Sequence, residues 1–247
     1  AAVMYVGNAN DSMYTVNIAT QSATLLGATG VNVNFGGLGF AQSGTLYGWT
    51  TGGSSRLHTV NTSTGAWTAV GGSLPGCGDT FDINPLSGTA YVTDICNEDL
   101  YTVDLATGNT TLAADLSGWV FSAGSAFGAD GTLYYIGGGN LQRTNVSTGA
   151  TTLIGATGLG ATTITSLAFN PDDGLLYALG TFDANLYRFD PMTGAGTNLG
   201  AVAGLQATGQ WTMATFRVAG AQVPEPATLA LLGSLWVRAY GGHVIRQ

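Results

Sequence analysis

The chain contains no lysine, and only Glu98 and Glu225 among its fourteen carboxylates are glutamates. Its basic residues are six arginines, so charged residues make up 8% of the 247 positions and the net charge is −8. There is no basic stripe to grip a phosphate backbone, and no nucleic-acid partner is expected. Histidine is nearly as scarce. His58 lies inside a repeated strand where sister copies carry Tyr or Gln, and His243 lies near the C-terminus. No His–Cys set has metal-ligand spacing, no EF-hand loop occurs, and no serine sits in a recognisable nucleophile context. Sustained helical periodicity is absent before residue 226. What is abundant is glycine, 39 residues, often in Thr-Gly pairs, which reads as short strands joined by tight turns.

Those turns belong to an internal repeat. Met13-Tyr14-Thr15-Val16-Asn17, Leu57-His58-Thr59-Val60-Asn61, Leu100-Tyr101-Thr102-Val103-Asp104, Leu141-Gln142-Arg143-Thr144-Asn145 and Leu186-Tyr187-Arg188-Phe189-Asp190 each run into a shared threonine. That threonine falls at 20, 64, 107, 148 and 193, with spacings of 44, 43, 41 and 45, the length of a propeller blade. The terminal Asn or Asp can cap a turn, and the glycine after the threonine supplies the positive φ of a bulged hairpin. Gln21 replaces that glycine in the first copy. A second motif precedes the first, with tyrosines at 5, 47, 91, 134 and 177. Upstream of four of these lies a further apolar strand, ending at Phe40, Ile83, Phe127 and Phe169. The first unit lacks it, and an orphan strand at 211–218 supplies it. The expected fold is therefore all-β: a five-bladed β-propeller of four-stranded blades over residues 1–218, closed by pairing the C-terminal strand with the N-terminal strands, followed by a linker and tail over 219–247. The repeated Tyr and Phe residues are read as packing between blades.

Cys77 and Cys96 flank a hairpin that turns around Asn84–Gly88. Positions facing each other across it have numbers summing to about 173, as these two do, so a cross-strand disulfide and an oxidising compartment are expected. A start at Ala1-Ala2-Val3 fits a mature chain trimmed after small residues.

In a propeller the turns of the Thr-Gly motif share one face, and the more variable loops share the other. Varied loops on a rigid ring are where binding usually resides. Candidate ligand-binding residues there are Trp49, Trp119, Phe182 and Trp211 for stacking, and Asp94 and Glu98 as acceptors, equipment that suits extracellular glycans. Asp82 stands out by internal comparison, because it aligns with Gly39, Ala126, Ala168 and Thr215 on the inner strands. A carboxylate there is partly desolvated, which raises its pKa or lets it hold a cation; a hydrogen-bonded carboxylate in a wet channel is the plainer reading. Glycoside hydrolysis needs a second carboxylate across the substrate, and Asp79, Asp94 and Glu98 all lie in the same blade as Asp82. No catalytic residue, cofactor or metal site is therefore assigned. The acidic turns 170–174 and 94–99 offer oxygens of the kind Ca²⁺ takes, though turn chemistry alone explains the first.

The repeats end at Val218. Beyond a short linker come Val223, Pro224, Glu225 and Pro226, and then an apolar run from Ala227 to Val237. This segment resembles the PEP-CTERM sorting signal of exported Gram-negative bacterial proteins. The resemblance implies recognition by an exosortase, cleavage near Pro224–Pro226, and delivery to the cell envelope or extracellular matrix. Its apolar run is shorter than a bilayer span and Arg238–His243 replaces the usual basic cluster, so a groove on a neighbouring copy is an alternative destination, giving a homopolymer through the tail. The leading expectation is a secreted, non-catalytic structural or adhesion protein that self-assembles into a fibre. A glycan-binding propeller, or a propeller glycoside hydrolase or lyase centred on Asp82, are the alternatives.

Overall fold

The computed structural model describes residues 2–51, 55–74, 77–116, 124–160 and 163–217. They form five four-stranded antiparallel sheets arranged as a ring. The first blade runs outward from β20 (Trp211–Phe216) through β1 (Val3–Asn8) and β2 (Ser12–Asn17) to β3 (Ser22–Ala28). The second comprises β4 (Gly36–Phe40), β5 (Leu46–Thr50), β6 (Ser55–Val60) and β7 (Trp67–Leu74). The third comprises β8 (Gly78–Ile83), β9 (Ala90–Asp94), β10 (Asp99–Val103) and β11 (Thr110–Asp115). Blade four holds β12 (Gly124–Phe127), β13 (Leu133–Gly137), β14 (Asn140–Thr144) and β15 (Thr151–Ala156), and blade five holds β16 (Ala168–Asn170), β17 (Leu175–Leu179), β18 (Asn185–Phe189) and β19 (Gly196–Ala201). The seam is the expected one: Met4 faces Phe216 and Val6 faces Ala214, so the C-terminal strand completes the N-terminal blade.

The repeated Asn or Asp closes its turn in all five copies. Asn17, Asn61, Asp104, Asn145 and Asp190 each accept, through Oδ1, the backbone N–H two residues on, at 2.8–3.0 Å. These bonds favour the charged form and hold the Asp104 and Asp190 carboxyls below their ordinary range. The Thr-Gly pair does more than turn the chain, because it also docks one blade on the next. A Cβ on Gly71 of β7 would lie 1.7 Å from the Thr107 carbonyl oxygen, and one on Gly27 of β3 would lie 2.3 Å from that of Thr64. Backbone meets backbone there, which only glycine permits.

Between blades the apolar faces interdigitate. Tyr5 meets Phe40, Tyr91 meets Phe127 and Tyr177 meets Phe216, each a tyrosine of one blade against the inner-strand phenylalanine of the next, with centroids 5.3, 5.4 and 5.8 Å apart. Such pairs contribute about 0.5–1.5 kcal/mol each beyond the area they bury. His58 is part of this core. It is 4% exposed and tilted against Trp67, and burial holds its pKa below the usual histidine value. The Cys77–Cys96 disulfide is formed, with Cα atoms 5.6 Å apart. A register shift between Gly78 and Phe81 places Gly78 opposite Asp94, so the two cysteines lie just beyond the last ladder pair.

Candidate functional site at the ring axis

The inner strands β20, β4, β8, β12 and β16 pack closely around the axis. Small residues allow this approach: a Cβ on Gly37 would lie 2.2 Å from the Phe81 carbonyl oxygen. The space left is small. One end, flanked by Gly36, Thr80, Ser125 and Thr165, encloses about 10 Å³. There the Ser125 hydroxyl donates to Thr80 Oγ1 at 2.8 Å, and Thr80 in turn bonds Thr93. The other end encloses about 30 Å³, room for about two waters. All five blades line it, through Phe216, Phe40, Ile83, Phe127 and Phe169 at equivalent strand ends, with Pro85, Ala129 and Pro171 at its rim.

Asp82 lies in this second cavity. Its Oδ1 accepts the Ile83 N–H and its Oδ2 accepts the Phe127 N–H of the neighbouring blade, both at 2.7 Å. Gly39 of the preceding blade makes room for it, since a Cβ there would lie 2.9 Å from Asp82 Oδ1. Asp82 thus touches three blades. Burial pushes its carboxyl up to about 7, while the two N–H bonds pull the other way. Asp79, earlier on β8, is also pushed up to about 7 by burial. At position 82 the structure thus has a carboxylate at the axial cavity held by two backbone N–H groups.

The other candidate residues are scattered. Trp49 is fully buried and stacks on Phe81, with centroids 6.2 Å apart, so its ring faces core rather than solvent. Trp211 is 1% exposed, packs edge-on against Tyr14, and donates its indole N–H to the Gln206 carbonyl. Phe182 is 60% exposed. Beside it, both oxygens of Asp183 are engaged, by the Asn185 N–H and the Tyr187 hydroxyl. Asp94 is 5% exposed and accepts the Cys96 N–H and the Asn97 amide, whereas Glu98 is exposed at a turn with φ 57°. Asp94 also lies close to the Cys77 and Cys96 sulfurs, but bonded sulfurs are not thiolate ligands, so this trio is not a metal centre. In the acidic turn 170–174, Asp173 accepts the Leu175 N–H and the Tyr177 hydroxyl, and Asn170 accepts the Asp172 N–H, which is turn chemistry. Trp119 and the Val223–Pro226 segment lie outside the described residues.

No family model matches the chain, and no curated protein matches it. Solved structures do. A chain of a nidogen/laminin complex superposes with a TM-score of 0.60 at 11% identity, over 90% of this chain and 100% of that one. A chain from a structure concerning the de novo evolutionary emergence of a symmetrical protein gives 0.60 at 18% identity, over 87% and 98%. A protein of unknown function from Bacteroides thetaiotaomicron gives 0.57 at 14% identity, over 80% and 55%. The likeness is one of fold.

One feature of the axial site is not legible in the sequence pattern. The repeat predicts blade packing for Phe40, Phe127 and Phe169, yet their column, one residue after Asp82 and its equivalents, also rings the axial cavity. Its only trace is that shared column, with Phe216 and Ile83 in the same register.

Proposed function

We propose that this propeller is a non-catalytic structural or adhesion protein of the cell surface or extracellular matrix, and that it associates with copies of itself. The observation that carries the reading is the set of outer strands β3, β7, β11, β15 and β19, each paired with a single strand of its sheet; the start of β3 is covered further, by a bridge from Ser22 to Ala203. The only charged residue of these outer strands is Asp115. Leu25, Leu112 and Leu153 occupy equivalent positions on three of them and are 57–59% exposed. Free edges normally carry lysine, proline, inward charge or a bulge to prevent pairing between molecules; here a register shift is present in each outer pair, but lysine, proline and inward charge are not. The disulfide favours an oxidising compartment. The PEP-CTERM-like segment at Val223–Pro226 favours export and sorting to the envelope. The test is sedimentation velocity across a concentration series. Wild type should associate, and a Leu25→Lys/Leu112→Lys/Leu153→Lys variant should shift toward monomer. A wild-type chain that stays monomeric at every concentration contradicts the proposal.

A further inference from the structure

We infer that the axial cavity at the end carrying Asp82 is a binding site for a protonated primary amine on an apolar stem. The inference is independent of self-association and concerns the turn face of the ring rather than the variable-loop face.

Three observations converge on it. First, the ring's internal symmetry is broken at one position. The equivalents of Asp82 are Gly39, Ala126, Ala168 and Thr215, so a single carboxylate stands in a column of small uncharged residues and lines the cavity beside Thr215. Each of its oxygens accepts one N–H and keeps further acceptor capacity. Second, Phe40, Phe127, Phe169 and Phe216 surround that carboxylate, and aromatic rings attract cations. Phe40 already does so: the Arg217 guanidinium carbon lies 5.3 Å from its ring centroid. Third, the size fits. A cavity of about 30 Å³ admits a water-sized –NH₃⁺ head but not a sugar ring, and the phenylalanine and proline rim suits an alkyl stem. Burial leaves the carboxylate costly to ionise, and a bound cation relieves that cost. The chain contains no lysine, so it has no side-chain amine of its own to compete. Charged groups on the elements lining the site are Asp79 on β8, Arg217 after β20, and Asp130, Asp172 and Asp173 in the turns that follow β12 and β16; Tyr91 faces Asp82 from β9. Among the cavity-lining residues Asp82 alone titrates.

The experiment is amide-resolved NMR titration of the full chain at pH 8 with butylammonium chloride, a lysine-containing tripeptide with blocked termini, and sodium chloride at equal ionic strength. Butylammonium should shift the amides of Ile83 and Phe127, and Asp82→Asn, confirmed folded by its dispersed spectrum, should weaken binding about tenfold or more. If the tripeptide acts like butylammonium, the natural source is a lysine side chain of a partner; if only butylammonium acts, it is a free amine. Equal shifts with sodium chloride, equal binding by Asp82→Asn, or no shift with either amine overturns the inference. Phe169→Ala provides a second check, since a site built on the aromatic ring must lose affinity there as well.

Discussion

Replacing Asp82 by Asn should change how stability depends on pH, with a sign fixed by the structure. An ordinary aspartyl group titrates near 3.8, whereas burial carries Asp82 to about 7. Between these values the folded chain holds a proton that the unfolded chain has released, so the stability associated with this group falls as pH rises from about 4 and levels off above about 7. Each pH unit of that window is worth about 1.4 kcal/mol, so the full span amounts to about 4 kcal/mol. Asparagine cannot ionise, and the variant loses this slope. It also cannot accept both the Ile83 and Phe127 N–H groups as the carboxyl does, which costs about 1–3 kcal/mol at every pH. The variant should therefore be the less stable protein at pH 4 and should gain on wild type by about 4 kcal/mol toward pH 8. Asp79 titrates in the same direction and remains in both proteins, so it cancels in the difference. Urea unfolding of the two proteins at half-unit steps from pH 4 to pH 8 measures that difference. Parallel curves would refute the reasoning, because they would mean the carboxylate is solvated like any surface aspartate.

Blade docking through glycine is tested by Gly71→Ala, which places a methyl group 1.7 Å from the Thr107 carbonyl oxygen at φ +68°. It should cost about 3 kcal/mol or more in urea unfolding. Gly158→Ala, at φ +70° with nothing within 4 Å, should cost only about 1–2 kcal/mol. Cys77→Ser/Cys96→Ser releases a link between residues 19 apart and should lower unfolding stability by about 3 kcal/mol without changing the far-ultraviolet circular dichroism of the folded state.

The ring was legible because the repeat is written in local chemistry. Asn61 and Asp104 cap the same turn, and the orphan strand ending at Phe216 had no other partner than the one it takes beside Met4. The disulfide was legible for a similar reason, since a hairpin's register is nearly an arithmetic matter until a bulge intervenes. Site chemistry was harder to read. Trp49 and Trp211 flank variable loops in the sequence, but Trp49 packs on Phe81 of the next blade and Trp211 on Tyr14, contacts between strands that no local pattern records. Asp82 was identifiable because comparison between the five copies removes the background of the repeat. The phenylalanines around it were misassigned because one column serves two purposes, packing outward on tyrosines and closing the axis inward.

Self-association of a ring whose outer strands carry a single charge is the central functional claim, and electron microscopy of the native material on the producing cells and in their medium tests it most directly. The expected image is of rings about one propeller across joined into fibres or sheets. A field of monodisperse single rings, in material that retains the segment after Val218 and in material that has lost it, would contradict the claim.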